Sequence, residues 1–406
     1  MDINTFLFSL ILLIFLGRAL GLLFVKYKFQ SLIGEVIGGI ILSPLALGLI
    51  VPSDILRLFA QFGIIMIMLL SGLLTDFKAF SEHKYKSTLI GVLGVSVSMT
   101  LISSILLMLG ISLEVSLFIG VILSNTAVEV CANILMKSKS SKEIQAIIMG
   151  ASFVDDIVAV FLIGVVGSIT LGNNITILSL LILSIGVALF ILIFLWIVPY
   201  FLEKYSVIDK LIGSGPKREK VLLTFTILFA LLLGLVAQYV GLQAVIGAYI
   251  GGLIIGKWGT KVGPMLRRRV AYEDLVDDLE PFSHALFTPL FFGYVGLTLG
   301  EVLSKFGMTF EMGILVFLLT LGALAGKFIG CGLGARLSHL DKKQSGFIGI
   351  AMGGRGALEL VLLSIGYEKG IINGPLFASV VLVTLLTVII TPILLSLYEK
   401  RIMASP

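Results

Sequence analysis

The sequence predicts an all-α, polytopic membrane protein of about thirteen transmembrane helices. Six helices, a linker helix and six more form an inverted-topology repeat in which two matched helices are discontinuous. Three observations carry this: an apolar composition, a one-sided distribution of basic residues, and a glycine motif that recurs 213 residues downstream. Of the 406 residues, 58% are hydrophobic and 13% charged, against roughly a quarter charged in soluble domains. That balance excludes a water-soluble globule.

A span takes about 20 apolar residues. By that measure thirteen candidates lie near 3–25, 31–50, 56–75, 87–110, 113–136, 143–170, 175–200, 220–239, 242–257, 281–300, 309–335, 344–366 and 372–398. Met1-Asp2-Ile3 lacks the basic start of a cleaved signal, so the first span is expected to be retained. With the N-terminus outside, 23 of the 29 basic residues fall in cytoplasmic loops and at the C-terminus. Arg57, Lys305 and Lys369 fall outside, and Arg18, Lys327 and Arg355 lie within spans. Such asymmetry follows the positive-inside rule and puts the C-terminus in the cytoplasm; the membrane is expected to be the plasma membrane of a prokaryote. The net charge of +5 therefore reflects topology, and no nucleic-acid partner is expected. Cys131 and Cys331 fall within spans and read as small apolar residues; His83, His284 and His339 lack ligand spacing and read as solvated surface. No cofactor is expected.

The second span contains Ile33-Gly34-Glu35-Val36-Ile37-Gly38-Gly39-Ile40-Ile41, and the ninth Ile246-Gly247-Ala248-Tyr249-Ile250-Gly251-Gly252-Leu253-Ile254. Both fit I-G-x-x-I-G-G-x-I. They are seven spans apart, an odd number, so the copies cross the membrane in opposite directions. Glycine at this spacing lets helices approach closely.

The repeat pairs the fifth span with the twelfth, and both are interrupted. Ser124-Asn125-Thr126 breaks one and Gly353-Gly354-Arg355-Gly356 the other. Matched interruptions point to a transport site at mid-membrane, where freed carbonyls and hydroxyls replace the water shell of a cation. The alternative for Ser124 is a bond back to its own helix.

The sixth span carries Asp155-Asp156 inside an apolar segment from about Ile144 to Thr170. Buried carboxylates cost several kcal/mol by insertion scales, so the pair needs a proton, a cation or a basic partner. Lys327, in the eleventh span beside Gly322, Gly326 and Gly330, is the candidate partner. Arg355, Glu359 and Glu129 form a second cluster, expected to neutralise one another where the interrupted helices meet. The sequence alone does not say what faces Glu35 in the second span.

With these residues in place, the chain resembles the monovalent cation:proton antiporter-2 family of the sodium/proton exchanger superfamily. Five stretches carry the resemblance: Gly34-Glu35 through Ser43-Pro44, Asn125-Thr126, Val154-Asp155-Asp156, Pro289 through Gly296, and the block from Gly326-Lys327 through Arg355 to Thr391-Pro392. The resemblance implies the sodium/proton antiporter fold, with the two discontinuous helices crossing. It implies a homodimer in lipid, with a dimerisation domain at 1–75 and 220–300, a core ion-transport domain at 87–170 and 309–398, and a linker helix at 175–200. Asp156 then alternates between a proton and a monovalent cation such as Na⁺ or Li⁺, with K⁺ the alternative. Asp155 salt-bridges Lys327, and Asn125, Thr126 and Ser152 supply oxygens near the ion. Relatives with two aspartates tend to be electrogenic. Glu129 departs from the family pattern, which has a small or apolar residue there. Potassium-moving relatives often continue into a nucleotide-binding domain; any such control here would need a separate subunit.

Two other classes compete. An intramembrane aspartyl protease places its aspartates on separate helices with a Gly-x-Gly-Asp turn, which is missing here, so no enzyme is expected. A cation channel or ion sensor shares the composition, and flux coupling separates it from an exchanger.

Overall fold

The computed structural model describes residues 3–27, 29–75, 82–127, 140–171, 185–186, 188–190, 192–205, 208, 218–240, 242–260 and 266–403. Every regular element among them is helical. The first six helices are α1 (Ile3–Lys26), α2 (Ser31–Leu42), α3 (Asp54–Leu73), α4 (Lys84–Met108), α5 (Leu113–Ser124) and α6 (Lys142–Leu171). Of the linker region, a π-helical turn (Ile193–Ile197) leads into α7 (Val198–Lys204). The second half holds α8 (Arg218–Tyr239), α9 (Ala244–Thr260), α10 (Leu266–Phe282), α11 (Thr288–Phe306), α12 (Phe310–Leu337), α13 (Lys342–Ala351), α14 (Ala357–Glu368) and α15 (Gly374–Met403). Eight helices among the described residues are long and apolar enough to cross a membrane. The chain is a multi-pass membrane protein.

Local chemistry sets several of the ends. Ser53 caps α3 by accepting from the Leu56 amide at 3.4 Å, and Thr309 caps α12 by accepting from Met312 at 3.2 Å. Asp341 and Gln344 form a reciprocal capping box at the start of α13. The second span is shorter than its hydropathy indicated. Its helix stops at Leu42, and Ser43 and Pro44 open a turn in which the Ser43 hydroxyl donates to the Ile40 carbonyl at 2.6 Å. The tenth is longer. Its apolar part continues α10, a charged helix that a hydropathy window does not register, and Pro281 is absorbed by the π-helical turn Ser283–Phe287 between α10 and α11.

The recurring glycine motif has a structural meaning. A Cβ on Gly34 would fall 2.4 Å from the Leu20 carbonyl of α1, and one on Gly247 2.2 Å from the Leu233 carbonyl of α8. Leu20 and Leu233 differ by the same 213 positions as the glycines. On the opposite face Gly39 would strike the Gly293 carbonyl of α11 at 2.0 Å, and Gly252 the Leu69 carbonyl of α3 at 2.2 Å. So α2 and α9 make equivalent backbone-to-backbone contacts, each with the first helix of its own half and the third helix of the other half. Only glycine permits both approaches at once.

The remaining helices pack around α12 and α4, which lie against each other. Gly326 meets Ser98, Gly330 meets Leu93 and Gly94, and Gly334 meets Ile90, all within 3 Å of where a Cβ would stand. This ladder of small residues brings Lys327 into the middle of the bundle, beside α6.

Candidate functional site

Successive side chains on a helix diverge by about 100°, so adjacent aspartates on α6 face different neighbours. Asp155 is fully buried and faces α12, where Lys327, also fully buried, donates to its Oδ2. Its Oδ1 takes no hydrogen bond among the described residues. Asp156, 4% exposed, faces the other way. Its Oδ1 accepts from the Asn125 side-chain amide at 3.2 Å and its Oδ2 from the Tyr249 hydroxyl at 2.8 Å. The two carboxylates therefore have distinct partners: an ammonium for Asp155 and two neutral donors for Asp156.

Asn125 and Thr126 stand just past the end of α5, where the helix breaks. The second break runs from Met352 to Gly356, between α13 and α14. Each break leaves backbone groups without helical partners, and in a membrane interior these need replacements. The two breaks supply them to each other. The Ala127 amide donates to the Gly354 carbonyl at 3.1 Å and the Thr126 hydroxyl to the Met352 carbonyl at 3.0 Å. Arg355, fully buried, donates Nε to the Leu123 carbonyl at 2.8 Å, one NH to Gly353 at 2.8 Å and the other to Ala323 of α12 at 2.9 Å. Ser124 bonds back to Val121 at 2.8 Å.

Helix spacing predicts Arg355 beside carboxylates, and the structure adds backbone partners for both Arg355 and Glu359. Arg355 lies in the break, before α14 begins, and from there its guanidinium donates to three backbone carbonyls. Glu359 accepts from the Gly356 amide at 2.7 Å, capping α14 from within its own first turn. Glu129 lies outside the described residues. Ser152, expected among the oxygens near Asp156, has its hydroxyl 3.4 Å from the Met352 sulfur. The remaining contacts around the aspartates bring together Asp155 with Lys327, and Asp156 with Asn125.

Tyr249 was missed by sequence reasoning. The signal was in the repeat: the 213-residue offset sets Tyr249 against Val36, so a hydroxyl stands in one half where the other has an isopropyl group. Tyr249 is buried on α9, and it links that helix to α6. Beside Asp156 lies a cavity of about 20 Å³ lined by Met68, Ser71, Asn125, Thr126, Asp156 and Tyr249 among others. A space of that size holds about one water-sized guest.

Comparison with known proteins places this geometry. The family model described as "Sodium/hydrogen exchanger, transmembrane" matches residues 10–398. A Na⁺/H⁺ antiporter of Enterococcus hirae is 27% identical over 386 residues, covering 94% of each chain. The Na⁺/H⁺-K⁺ antiporter GerN of Bacillus cereus is 27% identical over 401 residues, covering 95% of this chain and 94% of its own. Among solved structures, the sodium proton antiporter MjNhaP1 of Methanocaldococcus jannaschii at pH 8 superposes with a TM-score of 0.75 at 17% identity, covering all of both chains. The match along nearly the whole chain means that this protein belongs to the sodium/hydrogen exchanger family.

Proposed function

We propose that the chain is a secondary active transporter that exchanges a monovalent cation, Na⁺ first and Li⁺ second, for protons by alternating access. The observation that carries this is Asp156: a buried carboxylate in mid-span, held by two neutral donors and bordering a space that admits one dehydrated guest. A cation entering that space replaces the Asn125 and Tyr249 hydrogen bonds with direct coordination. Asn125 Oδ1, which takes no hydrogen bond among the described residues, and the Thr126 hydroxyl oxygen add hard oxygen ligands. Asp155 stands next to Asp156 on α6, paired with Lys327. Ser152 supports the second break through Met352. A cation displaces protons from Asp156 and its neighbours, and a bare anionic pair crosses the slab poorly, so the two fluxes are coupled.

The moving part is the core at 87–170 and 309–398, which slides against a dimerisation domain at 1–75 and 220–300; residues 175–200 link the halves. The protomer pairs with a second copy in lipid, with the N-terminus outside and the C-terminus cytoplasmic in a prokaryotic plasma membrane. Exchange is electrogenic, as the two-aspartate resemblance implies. A second reading, K⁺ in place of Na⁺, draws on the name of the B. cereus relative, which includes both ions.

The test is proton flux in proteoliposomes on addition of Na⁺, Li⁺ or K⁺, with Asp156→Asn as control. A Na⁺- or Li⁺-driven pH change lost in the variant is expected. A response to K⁺ alone moves the protein to the second reading. Exchange retained in Asp156→Asn overturns the role of the site.

A further inference from the structure

We propose that Glu368 is a staging carboxylate that holds the incoming cation at the outer mouth of the protein before it reaches Asp156. This rests on the exchange reading above and adds to it a positioning residue outside the candidate site.

A second cavity, of about 590 Å³, opens where α3 begins and where α11 and α14 end. Arg57, Tyr294, Glu301, Ser364, Tyr367 and Glu368 contribute to its lining. It lies at the end of the bundle where basic residues are scarce, the outer end on the topology proposed above. Its charges are unevenly neutralised. Arg57 pairs with Asp54 at 2.7 Å, and Glu301 pairs with Lys305 at 2.6 Å. Glu368 forms no salt bridge among the described residues; its contact is the neutral Gln61 amide at 2.6 Å. Arg57 lines the same cavity and acts on Glu368 across it, but its contact is with Asp54, so the carboxylates of the cavity outnumber its cations.

One turn below Glu368 on the same face of α14 is Ser364, 8% exposed and lining the same cavity. Its hydroxyl makes no hydrogen bond among the described residues, although a helical serine ordinarily bonds back to the preceding turn. A carboxylate and an unengaged hydroxyl at i, i+4 present two hard oxygens to one ion. Ala357, Val361, Ser364 and Glu368 share one stripe of α14. Ala357 borders the small cavity beside Asp156, and Val361, fully buried, lies between Ala357 and Ser364 along the helix. From Leu358 to Ser364 is about 9 Å of helix. The outer cavity has room for a hydrated ion and the inner one for about one water-sized guest. The ion is therefore held with its water at Glu368 and loses that water on the way past Val361.

Gln61 belongs to α3, and α3 also borders the inner cavity through Met68 and Ser71. The Gln61–Glu368 contact thus bridges α3 to α14, and a cation at Glu368 competes with the Gln61 amide for the same oxygen. Occupation loosens the bridge over the path inward.

The experiment measures apparent KM for Na⁺ presented from each face of oriented vesicles. Glu368→Gln is expected to raise the KM from the outer face about tenfold, in line with the local cation enrichment a focused negative site provides. The inner-face KM stays put as the internal control, and Glu368→Asp recovers most of the loss. An outer-face KM that does not move, or one that rises equally from both faces, overturns the proposal. A readout that needs no transport separates it from the exchange reading. In Ser364→Cys, a cationic methanethiosulfonate is expected to label faster than an anionic one, with the wild-type chain as blank and the ratio falling toward one on adding Glu368→Gln. Equal labelling by both reagents overturns the staging role even if exchange is intact. Wild-type vesicles without exchange, but with the charge-dependent labelling, overturn the exchange reading and leave the cation site.

Discussion

Tyr249 Oη donates to Asp156 Oδ2 at 2.8 Å, joining α9 to α6 through the carboxylate at the centre of the candidate site. Both residues are buried, and a hydrogen bond to a buried charged acceptor contributes about 1.5–3 kcal/mol. Tyr249→Phe removes the donor and keeps the ring. The expected outcome is a lower Tm of purified protein, with non-additive losses in a cycle with Asp156→Asn: a coupling of about 1–2 kcal/mol. Additive losses would show that the contact does not hold the site.

The buried Lys327–Asp155 pair makes a different prediction. Two charges with no access to water are tolerated because they face each other, and removing one leaves the other uncompensated, at about 3–5 kcal/mol. Lys327→Met and Asp155→Asn should each lower Tm steeply, whereas the double variant recovers much of the loss. Thermal unfolding in detergent, monitored for all four proteins, decides it. A double variant as unstable as the worse single one means the pair has a structural role beyond neutralisation.

Arg355 connects three backbone oxygens from two breaks and α12. Its planar fork reaches them in three directions, which a lysine ammonium on a single stem does not reproduce. Arg355→Lys keeps the charge and should still cost more than about 2 kcal/mol, because buried carbonyls are left unpaired. The measurement is recovery of folded protein by size-exclusion chromatography together with Tm. A near-wild-type Arg355→Lys would show that charge, rather than geometry, is what the crossing requires.

Much of the fold was legible because its signals are repetitive. Apolar runs, loop charges and the recurring glycine motif each depend on spacing, and spacing survives in a sequence. That Lys327 needs one of the two aspartates was also readable, since buried charges of opposite sign have few places to go; that it is Asp155 was implied only by the family resemblance. Contacts that depend on side-chain direction were not. Nothing in the string tells whether Arg355 turns toward Glu359 or toward Leu123, because helix spacing presumes a continuous helix and α14 starts only at Ala357. Tyr249 escaped for a related reason: it was read as one variable position in a packing motif, while its hydroxyl serves a residue 93 positions away. Similarly, α10 lay hidden because its charged residues place it below any hydropathy threshold.

The repeat itself can be tested with paired substitutions. Gly39 and Gly252 occupy equivalent positions, and an added methyl would stand 2.0 Å and 2.2 Å from carbonyl oxygens of α11 and α3. Those are backbone atoms, so relief requires whole helices to move apart, and overpacking of this kind costs about 1–3 kcal/mol or more. Gly39→Ala and Gly252→Ala should therefore reduce the yield of folded protein and Tm by similar amounts. Gly313 in α12 supplies the contrast, since a Cβ there meets nothing within 4 Å. Gly313→Ala should be neutral or stabilising by up to about 1 kcal/mol, through helix propensity alone. If Gly39→Ala and Gly252→Ala differ widely, with one tolerated and the other not, the two halves do not share the packing that the 213-residue offset implies, and the symmetry ends at the level of sequence.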